Sequence, residues 1–110
     1  MNLKKKKENK SYSIKITAEE GEEILGWVYL YVMNNDLHKE PFGFLENVFV
    51  EEKYRGRGIG QRLVEEVANV AKKEGCYKLI CTSRHEKPEI HAWYKKLGFK
   101  DHGKEFRIDF

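Results

Sequence analysis

The sequence predicts an α/β protein with a single mixed β-sheet, in which an antiparallel meander is followed by a parallel crossover. Three observations lead to this prediction. The first half of the chain contains three strand-like stretches joined by short turns, and the spacing of its apolar residues then changes from two to about 3.6. The second half alternates strand-like and helix-like stretches, which is typical of helices packed on a sheet. The predicted element order is β-β-β-α-β-α-β.

Length and composition are those of one globular domain. The chain has 110 residues, which suffices for one domain and is too short for two. Hydrophobic residues make up 40% of the sequence and charged residues 35%, a balance typical of a folded protein with a heavily charged surface. We therefore expect residues 1–110 to form a single domain, in which the lysine-rich residues 1–10 are disordered.

The sequence also predicts a cytoplasmic protein without a membrane partner. No apolar run approaches the ~20 residues that span a bilayer, and no apolar segment of a secretory signal follows the lysine-rich start. Cys76 and Cys81 lie an odd number of positions apart on a predicted strand, so their side chains point to opposite faces and we expect no disulfide between them. Reduced cysteines suit the cytosol. No cysteine and histidine residues have zinc-ligand spacing, so we expect no metal site.

Three strands are predicted in the first half of the chain, before the apolar residues take up helical spacing. The first is Tyr12–Ile16, where apolar and polar residues alternate, and the second is Ile24–Met33, which is rich in β-branched and aromatic residues. The third is Phe42–Val50. The turns between them lie at residues 19–23 and 34–36. Because these connections are short, the three strands should pair antiparallel.

Two helices and two strands are predicted after the change of period. The first helix ends before Gly75, and its apolar positions are Ile59, Leu63, Val64, Val67, Val70 and Ala71. Leu79–Thr82 is the next strand, parallel to the third strand through a right-handed crossover. The second helix starts at Pro88 and ends at Gly98. In Phe106–Phe110 apolar residues alternate with charged ones, which predicts a last strand.

A glycine-rich loop lies between the third strand and the first helix. Gly56, Gly58 and Gly60 allow the backbone to turn its N–H groups toward an anion, and the loop leads into a helix N-terminus with unpaired N–H donors. Arg55 and Arg57 add positive charge. The spacing fits neither a kinase-type P-loop nor a dinucleotide-binding loop. The loop therefore predicts a diphosphate site; the alternative is a tight turn with solvated arginines.

Three segments of the chain, Leu45–Val50, Arg55–Gly60 and His91–Phe99, resemble parts of one known family. Arg55–Gly60 is similar to the R-x-x-G-x-G/A acetyl-CoA motif of the GNAT superfamily of N-acetyltransferases, Leu45–Val50 resembles the fourth strand of that family, and His91–Phe99 resembles its F-Y-x-x-x-G-F helix end. The resemblance implies the acyl-CoA N-acyltransferase (GNAT) fold over the chain from Tyr12 onward. The family usually has a strand and two helices before the meander, so the chain resembles an N-terminally truncated form. The acceptor side is then expected to be open or completed by a second subunit in a homodimer.

The resemblance implies a site for acetyl-CoA as co-substrate. Backbone N–H groups of Arg57 to Gln61 would hold the pyrophosphate, and main-chain groups of Phe49 and Val50 would pair with the pantetheine arm as an added strand does. The backbone near Val48 would polarise the thioester carbonyl. The implied cofactor-binding residues are Val48, Phe49, Val50, Arg55, Gly56, Arg57, Gly58, Ile59, Gly60 and Gln61.

Acetyl transfer to a primary amine needs a base for the acceptor ammonium and an acid for the departing thiolate. The resemblance implies that Tyr94 is the acid, although its spacing is also that of an ordinary apolar helix face. Glu46 is the predicted base, because a carboxylate between apolar strand residues is costly unless it is paired or useful. His91 is the second candidate base, since histidine titrates near neutral pH. The alternatives are a surface-facing Glu46 and a packed His91.

The predicted function is direct attack of an amine on acetyl-CoA in a ternary complex, with a small molecule or a peptide as the acceptor. The alternative is a non-catalytic acetyl-CoA-binding sensor module. A net charge of +3 would also suit nucleic acid. The sequence lacks basic and aromatic residues interleaved on one face, so we expect no specific nucleic-acid partner.

Overall fold

A four-stranded mixed sheet forms the centre of the structure, a computed structural model that describes residues 1–110. Its strands are β1 (Tyr12–Glu20), β2 (Glu23–Met33), β3 (Phe42–Val50) and β4 (Leu79–Ile80), and they lie in the order β1-β2-β3-β4. The first three strands pair antiparallel, and β4 is parallel to β3. The predicted fold class, an antiparallel meander followed by a parallel crossover, is confirmed.

The helix α1 (Ile59–Lys73) forms the crossover between β3 and β4 and packs on one face of the sheet. Its apolar stripe meets the inward residues of β2 and β3. The resulting core consists of Leu25, Val28, Leu30, Val32, Leu45, Leu63, Val64, Val67 and Ala71. Each fully buried valine or leucine contributes about 1.5–3 kcal/mol of transfer free energy, so this single helix accounts for much of the sheet's stability.

The chain divides into two compact units, Met1–Ile80 and Cys81–Phe110. The first unit contains the sheet and α1. The second contains the helix α2 (Pro88–Lys96), which begins with proline in its first turn as predicted. The arrangement of the chain as one domain stays a prediction. Residues 1–10 are exposed and form no helix or strand.

The predicted last strand is wrong. Residues 97–110 contain no helix or strand, and Phe106, Ile108 and Phe110 are exposed by 91%, 76% and 113% of their reference areas. Alternation of apolar and charged residues decides which side chains share a face, but a strand also needs a neighbour to satisfy its backbone N–H and C=O groups. This segment has no strand pairing, so its pattern alone does not produce a strand.

The strand β4 is shorter than predicted and ends at Ile80 instead of Thr82. It pairs with only two residues of β3, Gly43 and Phe44. As a result, the edge of β3 that faces β4 has no strand partner from Leu45 to Val50. In addition, no helix of the structure is both long and apolar enough to cross a lipid bilayer.

Candidate functional site

The glycine loop has the left-handed backbone that its sequence requires. Gly56 has a φ of +83° and Gly58 a φ of +79°, values that side chains with a Cβ rarely adopt. A Cβ added at either position would meet no atom of the protein within 4 Å. The glycines are therefore needed for backbone conformation, and the space beside them is open to a ligand.

The N-terminus of α1 directs unpaired donors toward this loop. Gly58 is the N-cap and provides no side-chain hydrogen bond. The first N–H to find an intrahelical acceptor is that of Arg62, which donates to the Gly58 carbonyl over 3.1 Å. The N–H groups of Ile59, Gly60 and Gln61 have no acceptor in the protein. Three free donors at the positive end of a helix dipole form an anion-binding arrangement.

The two arginines of the loop have different roles in the structure. The Nε of Arg55 donates to the carbonyl oxygen of Val50 over 2.9 Å, so this side chain ties the loop to the end of β3. Arg57 lies with its guanidinium carbon 5.2 Å from the ring centroid of Tyr54 and is exposed. Arg57 thus forms no hydrogen bond to the backbone, whereas Arg55 does.

A β-bulge in β3 lies next to the loop and was not predicted from the sequence. The register between β2 and β3 shifts between Trp27 and Tyr29, so that Asn47 and Val48 stand opposite a single β2 residue. Asn47 has a φ of +57° and is the only residue other than glycine with a positive φ. Asparagine tolerates this conformation better than most other residues with a Cβ, which is the one indication that the sequence contained.

The end of β3 stays paired with β2 at Phe49 and Val50, whereas its other edge is open. The bulge interrupts the ladder with β2 at Val48, and β4 does not reach beyond Phe44. The implied pantetheine-binding residues, Phe49 and Val50, therefore have backbone groups on this open edge that a ligand can pair with. One of these groups, the Val50 carbonyl, already accepts the hydrogen bond from Arg55.

Glu46 immediately precedes the bulge. It is half-buried and stands opposite Tyr29 of β2, on the sheet face that does not carry α1. Trp27 and Phe49 stack on the same face with their ring centroids 4.5 Å apart. Glu46, the open β3 edge and the glycine loop thus all belong to the first unit.

The other two predicted catalytic residues lie in the second unit, on α2. His91 and Tyr94 are three residues apart and so share a helix face, and both are half-buried. The Nε2 of His91 lies 2.6 Å from the Arg84 carbonyl, which can only accept, so Nε2 carries the proton and Nδ1 is the basic nitrogen. The Tyr94 ring packs against the rings of Trp93 at 5.1 Å and Phe99 at 5.4 Å between centroids.

Two groups near the C-terminal end of α1, away from the loop, have raised pKa values. The hydrogen bond from the Tyr12 hydroxyl to the Glu74 carboxylate, 2.6 Å long, raises the pKa of Tyr12. Burial raises the pKa of the Cys76 thiol, with a smaller contribution from Glu74. A raised pKa reduces the thiolate fraction, which disfavours Cys76 as an acyl-accepting nucleophile. Both groups belong to the packing of α1, not to the candidate site.

Comparison with known proteins connects this geometry with acetyl transfer. The model of the acetyltransferase (GNAT) family matches residues 2–99. A probable glucosamine 6-phosphate N-acetyltransferase of Oryza sativa is 43% identical over 70 residues, covering 62% of this chain and 39% of the relative. The glucosamine 6-phosphate N-acetyltransferase of Trypanosoma brucei is 36% identical over 67 residues, covering 61% of this chain and 44% of the relative. The chain thus spans less than half the length of these relatives.

The fold is also similar to that of a solved acetyltransferase structure. A putative acetyltransferase from Agrobacterium tumefaciens superposes with a TM-score of 0.82 at 29% identity. The match covers 89% of this chain and 69% of that protein.

Proposed function

Because the chain belongs to the acetyltransferase (GNAT) family, we propose that it transfers the acetyl group of acetyl-CoA to a primary amine by direct attack in a ternary complex. The observation that carries this proposal is the arrangement at the start of α1. Three unpaired N–H groups, a left-handed glycine loop and an unpaired strand edge lie next to one another. A diphosphate joined to a chain of amide groups, as in CoA, has the chemistry to occupy all three.

The donor would be held mainly by backbone groups. The N–H groups of Ile59 to Gln61 would bind the pyrophosphate, and Arg57 would add charge. Backbone groups of Phe49 and Val50 on the open edge of β3 would pair with the amides of the pantetheine arm. An N–H near Val48 would stabilise the charge that develops on the thioester oxygen.

The reaction would then need two proton transfers. The acceptor ammonium would lose a proton to the Glu46 carboxylate, and the neutral amine would form a C–N bond to the carbonyl carbon. The C–S bond would break, and the Tyr94 hydroxyl would give its proton to the departing thiolate. The attacking nitrogen, which still carries one proton more than an amide, would lose that proton and so restore the Tyr94 hydroxyl. Half-burial of Glu46 beside the bulge supports its assignment. His91 remains the second candidate base through its Nδ1, since Nε2 donates to Arg84.

The acceptor class that the relatives suggest is an amino sugar phosphate. The relatives named above are glucosamine 6-phosphate N-acetyltransferases, and we propose glucosamine 6-phosphate as the first acceptor to test on this chain. A cytoplasmic location and a homodimer that completes the acceptor side stay predictions, and gel filtration of the purified chain tests the second.

An assay of CoA release from acetyl-CoA with a panel of primary amines tests the proposal. Loss of a positioned acid or base costs about 10²- to 10⁴-fold in rate, so we expect Glu46→Gln and Tyr94→Phe to lower kcat by that amount. Glu66→Gln and Tyr77→Phe make the same chemical changes at exposed positions outside the site and should leave kcat unchanged. Release that is unaffected by either site substitution contradicts the catalytic assignments.

The same experiment separates the enzyme from the sensor module. A sensor would bind acetyl-CoA and release CoA with none of the amines, whereas an enzyme releases CoA in proportion to acetylated product. Mass spectrometry of the product identifies the acetylated nitrogen.

A further inference from the structure

Three side chains of the first unit form a row across the sheet. Lys15 of β1 stands opposite Tyr29 of β2, and Tyr29 stands opposite Glu46 of β3. Residues directly opposite one another in antiparallel strands point to the same face. The buried Val28 and Leu30 flank Tyr29 and point toward α1, so the row lies on the other face of the sheet.

The row has opposite charges at its two ends. Adjacent strands lie about 4.8 Å apart, so the backbones at Lys15 and Glu46 are about 10 Å apart. Neither side chain takes part in a salt bridge. Lys15 is exposed, and its ammonium lies 4.9 Å from the ring centroid of Trp27 and 5.7 Å from that of Tyr29. Both charges therefore remain available to a ligand.

Aromatic rings form the floor between these charges. Tyr29 and Tyr31 have their ring centroids 6.0 Å apart and their planes within 16° of parallel. Trp27 stacks on Phe49 beside them. All four rings are partly exposed. Such a floor suits a sugar ring or an alkyl chain, because both bury apolar C–H surface against aromatic faces.

We propose that the acceptor is a primary amine that also carries an anionic group, phosphate or carboxylate. The inference rests on the proposed acetyl transfer and specifies its substrate class. The acceptor ammonium lies at Glu46, its anionic group lies at Lys15, and the part between them covers Tyr29. Charge complementarity at two points fixes the direction of the acceptor, with its amine beside the β3 bulge where the thioester carbonyl is expected.

Two pairs of amines test this inference. Each pair differs by the anionic group: glucosamine 6-phosphate against glucosamine, and 6-aminohexanoate against hexylamine. We expect the chain to use at least one anionic amine with a kcat/KM about 10-fold or more above that of its neutral partner, since hydrogen bonds to charged groups are the strong ones. Comparison of the two pairs distinguishes a phosphate from a carboxylate. Equal kcat/KM values within both pairs overturn the inference.

Substitutions of Lys15 assign the preference to the row. Lys15→Ala should lower kcat/KM for the preferred anionic amine about 10-fold, Lys15→Glu should lower it further, and Lys15→Arg should restore most of it. The neutral partner should change less than twofold in all three variants. Lys72→Glu makes the same charge reversal at an exposed position of α1 and should preserve the preference. An equal loss for both members of a pair overturns the inference, and circular dichroism confirms that each variant folds.

A binding measurement keeps this test separate from the test of catalysis. If no amine releases CoA, the proposed function fails, and calorimetric titration of the chain with glucosamine 6-phosphate and glucosamine in the presence of CoA still decides the inference. Tighter binding of the phosphate, lost in Lys15→Glu, supports the row as an acceptor site. Equal binding of the two sugars, or binding of neither, overturns it.

Discussion

Asn47 is the residue whose backbone sets the geometry of the proposed donor site. Its positive φ produces the bulge, and the bulge frees the backbone at Val48. The side chain itself is exposed and forms no hydrogen bond within the protein. What the position requires is thus a residue that tolerates the left-handed conformation.

Substitutions at Asn47 test this requirement. We expect Asn47→Gly to leave the free energy of unfolding nearly unchanged, and Asn47→Val to lower it by about 1–2 kcal/mol, because a β-branched residue is strained at this φ. Urea unfolding followed by circular dichroism measures both. The Val variant should also bind acetyl-CoA more weakly, since relief of the strain flattens the bulge. Equal stability of the Val and Gly variants would show that the bulge does not depend on residue 47.

At the residue scale, the sequence indicated which residues belong to the loop better than it indicated the contacts that they form. It indicated that Arg55 and Arg57 add charge to the loop, but the structure uses the Nε of Arg55 to hold the Val50 carbonyl. Such a contact depends on where the loop turns back, which the spacing of charges does not encode. Glu46 was identified because a carboxylate inside an apolar strand is unusual. The roles of Glu46, His91 and Tyr94 remain predictions that the variants above test.

At the scale of elements, the close approach of β2 and β3 positions the end of β3. Gly26 of β2 stands opposite Val50, and a Cβ at Gly26 would collide with the Phe49 carbonyl oxygen and lie 3.1 Å from the Val50 Cα. Both of these are backbone atoms, which cannot move aside without displacing the strand. Gly43, elsewhere in the same sheet, would place its Cβ 3.0 Å from the ends of two leucine side chains.

Substitution by alanine should therefore lower the free energy of unfolding by different amounts at the two glycines. We expect Gly26→Ala to lower the free energy of unfolding by about 3 kcal/mol, and Gly43→Ala by about 1 kcal/mol, because side-chain ends relax more easily than backbone. Chemical unfolding of the two variants measures the difference. Gly26→Ala should also weaken acetyl-CoA binding, since it displaces the Val50 carbonyl that Arg55 holds. A larger cost at Gly43 would contradict this account.

Elements with a strong local pattern were predicted well, and elements that depend on a partner were not. The apolar stripe of α1 specifies a buried face, and β2 is rich in β-branched and aromatic residues; both elements formed close to their predicted bounds. The segment Phe106–Phe110 has an equally regular pattern but no strand pairing, and it remains irregular. The bulge was missed for a related reason, since register is a property of two strands and neither sequence shows it alone.

At the scale of the whole molecule, the proposed donor and acceptor contacts belong to the first unit, and the proposed acid belongs to the second. The glycine loop, the β3 edge and the row from Lys15 to Glu46 all lie within Met1–Ile80. Tyr94 lies within Cys81–Phe110. The residues proposed to bind acetyl-CoA and the residue proposed as the acid thus lie in different units. We therefore expect Tyr94→Phe to lower kcat by about 10²- to 10⁴-fold and to leave acetyl-CoA binding intact.

Binding of acetyl-CoA should stabilise the folded chain, and this gives the last prediction. A ligand at 100 times its Kd adds about 2.7 kcal/mol to the free energy of unfolding if it binds only the folded state. Gly58→Val should abolish that gain, because the valine side chain would fill the space beside the loop that acetyl-CoA is proposed to occupy. The valine would also be strained at a φ of +79°. Differential scanning fluorimetry with and without acetyl-CoA measures the gain as a shift of Tm.

Gly75→Val is the matched control for this measurement. Gly75 has a φ of +82° and the same open space around a Cβ, but it lies just beyond the opposite end of α1. Backbone strain should therefore lower the free energy of unfolding of both variants by about 1–2 kcal/mol. Addition of acetyl-CoA should raise the Tm of the Gly75 variant only. Equal shifts in the two variants would place the acetyl-CoA site away from the glycine loop, because the strain is matched and only the position differs.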